Sequence, residues 1–187
     1  MPNELNDISV ASGTVYAKRY FRSFTKQIYK NCLFFSFSLL NLYLHQIMNV
    51  EFVYNTDFRI NNEAEITSWI NSFCQKEGFT INSLIFAFFN DEDLKTLNIK
   101  FLNHDYYTDV ISFDESNNSL IKGNIAISVD RVKDNASAFS SLFDDELKRV
   151  IIHGVLHFMG FNDITDDEKS LIRKKEDSAL KMFHVKQ

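Results

Sequence analysis

The chain has 187 residues, which suits one domain with a sizeable core, and its 45% hydrophobic and 24% charged residues are typical of a soluble globular protein. The net charge of −5 repels phosphate, so a nucleic-acid substrate would require a local basic groove. Cys32 and Cys74 are too few and too far apart for a cysteine metal site or a disulfide framework. They indicate reduced thiols in a reducing compartment.

Residues 1–47 differ from the remainder in charge and hydropathy. They carry five basic residues against two acidic ones, a net charge of +3, whereas residues 48–187 carry a net charge of −8. A basic stretch, 18–30, precedes an apolar run, 32–44, that is too short to span a bilayer comfortably. We expect residues 1–47 to be an N-terminal extension upstream of a working start at Met48. The alternatives are a genuine accessory segment and an export or anchoring signal.

The first half of the remaining chain predicts two strands and two helices. Apolar and polar residues alternate in 49–54, which predicts a half-buried strand. The continuous apolar run 83–89 predicts a strand that is buried on both faces. One helix is predicted from Asn62 to Gly78, and a second begins after Asn90, whose side chain would cap it.

The second half predicts two short strands followed by helices. The strands are predicted at 110–113 and 125–129, and the segment between them, which includes Gly123, is turn-like. After a helical or irregular stretch, a helix begins at Asp144, and a capping box at Thr165 opens the last helix. The order β-α-β-α-β-β-α-α-α predicts an α+β fold, a small mixed β-sheet packed with helices.

The run HGVLHFMGFND predicts a metal site at the end of a helix. His153 and His157 are four residues apart on that helix, so their imidazoles project from one face. Gly160 can end the helix in the left-handed conformation, after which the chain turns Asp163 back towards the same ion. Two imidazoles and one carboxylate suit one zinc ion and leave a fourth position open for water, as in catalytic rather than structural zinc sites.

Other interpretations of this run remain open. Histidines at this spacing also occur as ordinary surface or core residues, and Asn162 is a rival third ligand with a poorer donor for zinc. Metalloproteases of the HExxH kind carry a general-base Glu directly after the first histidine. Gly154 occupies that position here, which argues against peptide hydrolysis.

The same run, together with the preceding LNIKFLNHDYYTDVISFD and IKGNIAIS, closely resembles the YbeY family of metal-dependent single-strand endoribonucleases. The resemblance is dense over 84–163 and keeps the same order over 49–182. It implies a compact endoribonuclease domain at 48–187, one zinc ion and a cytoplasmic location. It also implies action on single-stranded RNA in 3′-end maturation of small-subunit (16S) ribosomal RNA and in ribosome quality control. The expected partners are the small subunit or its assembly factors, with no membrane or DNA partner.

Three positions depart from the family pattern. The third ligand, usually His, is Asp163, which keeps an oxygen donor and lowers the charge of the site by one. Leu102 stands where many members have an Arg suited to contact phosphate, and Asn124 replaces an aspartate. If the chain acts as the family does, other residues must contact the phosphate or transfer a proton. The catalytic candidates are His153, Lys100, His104 and Arg149, and Lys122 is a further phosphate-binding candidate.

Several supporting residues have two interpretations each. Glu146 shares a helical face with His153 and would either hydrogen-bond an imidazole or form an exposed ion pair with Arg149. Asp109 would line the cleft beside the metal or simply belong to a turn at the start of a strand. The last helix mixes basic and acidic residues and is predicted to present a solvated charged face: Asp166, Asp167, Glu168, Lys169, Arg173, Lys174, Lys175, Glu176 and Asp177.

Two other functions compete with the endoribonuclease hypothesis. One is a zinc metallopeptidase-like hydrolase, which Gly154 disfavours. The other is a non-catalytic ribosome-assembly factor with a structural metal, to which the loss of the basic residue at Leu102 gives weight.

Overall fold

The computed structural model describes residues 49–185, with the backbone alone for Val185. Within this range nine elements follow in order: β1 Val50–Tyr54, α1 Glu63–Lys76, β2 Thr80–Phe89, α2 Asp91–Leu102, β3 Val110–Asp114, β4 Leu120–Ser128, α3 Val129–Ala138, α4 Phe143–Phe158 and α5 Asp166–Val185. The predictions about residues 1–47 concern a segment outside the described residues. In the described part of the chain, no helix is both long and apolar enough to cross a membrane.

The four strands form one mixed sheet in the order β1-β2-β4-β3. β1, β2 and β4 run parallel to each other, and β3 pairs antiparallel with β4. In the centre of the sheet, Phe86 of β2 lies beside Phe52 of β1 and Ile125 of β4. The predicted α+β fold with a small mixed sheet is confirmed.

Alternating residues of β2 divide the core into two clusters. Phe86 and Phe88 are fully buried on one face and belong to the larger cluster, which includes apolar residues of α1, α4 and α5. Ala87 and Phe89 face the other way and pack with α2 in the smaller cluster. The sheet is therefore covered on both faces, which explains why the strand 83–89 is apolar at nearly every position.

Gly123 is one position where the sequence prediction was wrong. The turn ends at Ser119, and Gly123 lies inside β4. A Cβ atom at this position would lie 2.4 Å from the carbonyl oxygen of Phe113 and 2.8 Å from the ring of Phe158. The glycine therefore permits the close approach of β3 and α4, rather than a change of chain direction.

Gly154 brings α4 onto the sheet. A Cβ atom there would lie 2.9 Å from Cγ2 of Ile125 and 3.3 Å from Oγ of Ser112. Both neighbours are on the sheet, so Gly154 marks the point at which the helix backbone lies directly against β3 and β4. This contact sets the position of α4 on the sheet, and α4 carries both His153 and His157.

Candidate metal centre

The two histidines are in the last two turns of α4, on the side away from the sheet. The opposite side carries Ile151, Ile152 and Val155, which are fully buried and anchor the helix. The rings of His153 and His157 are half-buried and nearly perpendicular, with an interplanar angle of 89°. Their Nε2 atoms are 3.0 Å apart. The helix therefore aims two nitrogen donors at one point.

The chain reverses directly after α4 and delivers the third donor. Gly160 has a φ of +86°, which L-residues with a side chain rarely adopt, and its N–H donates to the carbonyl oxygen of His157. Beyond this turn, Oδ2 of Asp163 lies 3.7 Å from Nε2 of His153. The donor atoms of His153, His157 and Asp163 all lie within 4.8 Å of one another.

Hydrogen bonds to the far side of each imidazole fix its tautomer. Nδ1 of His153 lies 2.9 Å from Oε1 of Glu176, and Nδ1 of His157 lies 2.9 Å from the carbonyl oxygen of Phe161. Carbonyl and carboxylate oxygens accept hydrogen bonds, so both Nδ1 atoms carry the proton. Each Nε2 atom then directs a lone pair towards the third donor, as metal-ligating histidines do.

The arrangement of these donors fits a metal ion. Two lone pairs 3.0 Å apart, with a carboxylate beside them, repel each other unless a cation or a shared proton lies between them. Two nitrogens and one oxygen are one of the donor sets found in catalytic zinc sites, and three protein ligands leave a fourth position for water or substrate. The residues present therefore fit a zinc-type ion held by His153, His157 and Asp163.

Glu176 is the functional residue that the sequence analysis missed. The charged residues of α5 were predicted to form a solvated face, but Glu176 is only 3% exposed. Its Oε2 atom lies 2.9 Å from Nη1 of Arg149 and 3.4 Å from Nη1 of Arg173. A sequence signal existed, because Glu176 lies four residues from both Ile172 and Leu180, within the apolar stripe of α5.

The charges around His153 shift several pKa values. Burial lowers the pKa of His153, but the hydrogen bond to Glu176 and the charges of Glu176 and Asp163 outweigh it, and the net shift is upwards. For Glu176, burial raises the pKa, whereas the hydrogen bonds from His153 and Arg149 lower it below the ordinary value of a glutamate. Glu176 is therefore an ionised acceptor, which secures the Nδ1–H tautomer of His153.

Two of the three metal donors, His153 and Asp163, border an open cleft of about 570 Å³ between α3, α4 and α5. Asp109 lies in the wall of the same cleft. Of the two interpretations of Asp109 that the sequence left open, the structure therefore supports the position beside the metal donors. The carboxylate of Asp109 accepts a hydrogen bond of 3.0 Å from the side-chain amide of Asn135. A volume of this size is typical of small-ligand sites, and it gives a substrate access to the metal position.

Glu146 also lies in this cleft and is only 5% exposed. Its Oε2 atom is 3.9 Å from Nε of Arg149, so the ion pair predicted from the sequence exists but is buried rather than exposed. Burial raises the pKa of Glu146, against the lowering effect of Arg149 and Arg173.

The other catalytic candidates from the sequence are placed elsewhere or are already bound. Arg149 is committed to Glu176 and to Asp177, with 2.9 Å to each, and its side chain is 19% exposed. His104 stacks on Tyr106 in the loop after α2. The described residues that line the cleft do not include Lys100, His104 or Lys122. A role for these three in the reaction stays a prediction.

The fold and the three donors define a class: an α+β protein with three side chains suited to hold one metal ion. A family model described as endoribonuclease YbeY matches residues 46–184 of the chain. The endoribonuclease YbeY of Christiangramia forsetii is 44% identical over 138 residues, covering 74% of this chain and 96% of the relative. That of Flavobacterium psychrophilum is 45% identical over 138 residues and is covered to 99%.

The chain belongs to the endoribonuclease YbeY family. The solution structure of TM1509 from Thermotoga maritima has a similar fold, with a TM-score of 0.57 over 72% of this chain and 88% of that one. Its sequence identity of 22% limits this likeness to the fold. The family resemblance that the sequence motifs indicated is confirmed.

Proposed function

We propose that the chain is a zinc-dependent endoribonuclease that cleaves single-stranded RNA. The observation that carries this proposal is the convergence of His153, His157 and Asp163 on one point at the edge of an open cleft. The family relationship supplies the substrate class, because the relatives are named endoribonucleases. The three donors support a catalytic rather than a structural metal, since a structural zinc site has four protein ligands.

In this reaction, different residues would bind the ion and orient its ligands. His153, His157 and Asp163 would hold the ion, while Glu176 and the Phe161 carbonyl orient the two imidazoles. When bound, zinc supplies a Lewis acid that activates water and polarises the scissile phosphate. Arg149 sits behind Glu176 and positions it, which is a different role from the phosphate contact suggested by sequence.

The biological substrate that we propose is small-subunit ribosomal RNA at its 3′ end, with a further role in ribosome quality control. This part of the proposal rests on membership of the family alone. The small subunit or its assembly factors would be the partners, and the cytoplasm would be the location, because precursor ribosomal RNA is processed there. A strain that lacks its own family member should accumulate unprocessed 16S 3′ ends, and the wild-type chain but not His157→Ala should restore processing.

The competing peptidase hypothesis is disfavoured by the packing of α4. A general base of the HExxH kind would have to stand at position 154, where even a Cβ atom meets Ile125 at 2.9 Å. The position also faces the sheet rather than the cleft. The structure thus adds a steric reason to the absence of a glutamate at this point in the sequence.

The direct test of the reaction compares substrates. The full chain, loaded with zinc, is incubated with a single-stranded RNA, the same RNA in a duplex, the same sequence as DNA, and an unstructured peptide. We expect cleavage of the single-stranded RNA by the wild type and none by His157→Ala. Zinc binding without RNA cleavage would favour a structural metal, and peptide cleavage would favour the metallopeptidase.

A further inference from the structure

Phe139 is an exposed aromatic residue in the wall of the cleft that holds the metal donors. It is 62% exposed and lies at the C-terminal end of α3. Among the described residues, no other ring lies in stacking or edge contact with it. Removing apolar surface from water is favourable, so the exposed ring leaves a favourable contact unmade in the free protein.

The backbone beneath Phe139 is held in place by hydrogen bonds. Its N–H donates to the carbonyl oxygen of Asn135 at 2.9 Å, and the N–H of Ser141 donates to that of Ala136 at 2.9 Å. Ser140 adopts a left-handed φ of +53° between them, which completes a helix-ending turn. The side chain of Asn135 ties the same turn to Asp109 in the cleft. The ring is therefore presented from a fixed position.

Basic side chains of α5 border the same cleft. Lys169 and Arg173 are exposed, and at a spacing of four residues they lie on one face of α5, about 5–6 Å apart between Cβ atoms. Lys169 has no ion-pair partner in the part of the chain that the structure describes. Arg173 is 3.4 Å from the buried Glu176, but half of its side chain remains exposed. Two cations are thus available at the rim.

The charge balance of the cleft depends on the metal. Four acidic and three basic side chains line it: Asp109, Glu146, Asp163, Glu176, Arg149, Lys169 and Arg173. Glu146 and Glu176 are buried and the exposed Asp163 is one of the metal donors, whereas Lys169 and Arg173 are exposed and are not. One divalent cation at the donors would change the net charge of the lining from −1 to +1. An anionic ligand is therefore favoured only by the metal-loaded protein.

We propose that Phe139 stacks on a nucleobase of the single-stranded RNA, while Lys169 and Arg173 bind its phosphates. This inference rests on the proposed function and adds the subsite that receives the substrate. An aromatic ring and two exposed cations in the wall of one cleft match the chemistry of a single-stranded nucleic acid, which offers unstacked bases and a phosphate backbone. It also supplies a phosphate contact that Leu102, on α2, does not.

The stacking half of the proposal is tested by cleavage kinetics of the zinc-loaded full chain. Phe139→Leu keeps an apolar side chain and removes the ring, and we expect it to raise KM at least about five-fold with kcat unchanged. Phe139→Tyr should restore the wild-type KM. Replacing single bases of the RNA by abasic sites should weaken binding to the wild type at one position, and Phe139→Leu should be insensitive to that replacement.

Leu142→Ala is the matched control, because Leu142 lies in the same loop and is 72% exposed, but it does not line the cleft. If Phe139→Leu has the same KM and the same response to abasic sites as this control, the stacking proposal is overturned while the proposed function stands. If the wild type cleaves no RNA, the proposed function fails, and the subsite fails with it.

The phosphate half is tested by salt dependence. Each lost phosphate contact should reduce the slope of log KM against log salt concentration by about 0.7, as for single strands. We expect this reduction for Lys169→Gln and not for Lys174→Gln, which removes the same charge from an exposed position of α5 outside the cleft. Equal slopes in the two variants would overturn the assignment of Lys169.

Discussion

Glu176 connects the metal centre to α5, because its carboxylate accepts a hydrogen bond from His153 and is itself held by Arg149. We predict that Glu176→Gln lowers zinc affinity about 10- to 100-fold, since an amide oxygen is a weaker acceptor and no longer enforces the Nδ1–H tautomer. Competition with a coloured chelator measures the affinity.

Asp177→Asn is the matched control for this prediction. Asp177 is the next residue on α5 and contacts the same Arg149 at 2.9 Å, but it makes no hydrogen bond to a ligand. Its zinc affinity should stay close to that of the wild type. If both variants lose affinity equally, Glu176 acts only by holding Arg149, and its proposed role at His153 is wrong.

Glu146 offers a pH test at the scale of one residue. Burial raises its pKa in the folded protein, so the unfolded chain ionises first as pH rises. The buried carboxylate therefore lowers the free energy of unfolding above the unfolded-state pKa, and this penalty disappears below it. We predict that Glu146→Gln stabilises the metal-free protein at pH 7.5 relative to wild type.

The comparison is made by urea unfolding in chelator at pH 7.5 and pH 4.5. The difference between Glu146→Gln and wild type should shrink at the lower pH, because the penalty on the buried carboxylate falls as the glutamate becomes protonated. A difference that is equal at both pH values, or larger at pH 4.5, would contradict the buried-carboxylate account.

At the scale of elements, Gly154 and Gly160 position the metal donors in different ways. Gly154 allows α4 to touch the sheet, and Gly160 ends the helix with a positive φ. Gly154→Ala should cost about 1–3 kcal/mol in overpacking against Ile125, offset in part by about 1 kcal/mol of helix propensity. Urea unfolding should show a net loss of stability.

The paired substitution at Gly160 should behave differently. A Cβ atom at Gly160 meets nothing within 4 Å, so the cost of Gly160→Ala comes from the left-handed backbone, about 1–2 kcal/mol. Asn tolerates that conformation better, so Gly160→Asn should be more stable than Gly160→Ala. At position 154 the order should be reversed, because there the larger side chain is worse. If the Ala and Asn variants had the same order of stability at both positions, the different roles given to Gly154 and Gly160 would be wrong.

Local patterns were sufficient to predict most of the elements and the convergence of the His153, His157 and Asp163 side chains. The cap at Asn90, the capping box at Thr165 and the turn at Gly160 are all encoded within a few residues of chain. Long-range packing was not predictable in the same way. The sequence around Gly123 predicts a turn, because nothing nearby in the chain reveals that Phe113 and Phe158 crowd this position.

Glu176 was missed for a related reason. In sequence it lies among lysines and aspartates, a context that is typical of a solvated helix. Its function depends on Arg149 and His153, which are more than 20 residues away in the chain and meet it only when α4 and α5 pack together. The apolar stripe of α5 predicts that Glu176 is buried, but the partners of its carboxylate, Arg149 and His153, are on α4.

At the scale of the whole molecule, metal binding should stabilise the fold. The donors come from the end of α4 and from the loop before α5, so the ion closes the connection between two helices that pack against each other. With free zinc at 100 times its Kd, the added stability should be about 2.7 kcal/mol. Thermal unfolding should therefore shift upwards with zinc in the wild type and stay unchanged in His157→Ala.

The central claim is that one ion at His153, His157 and Asp163 is responsible for RNA cleavage, and back-titration tests it most directly. The full chain is stripped with chelator, dialysed and titrated with zinc, while bound metal and cleavage of a single-stranded RNA are measured in the same samples. We expect cleavage to rise with zinc and to saturate at one ion per chain, and we expect Asp163→Ala to abolish it. Full cleavage by the stripped protein, or saturation with zinc without cleavage, would contradict it.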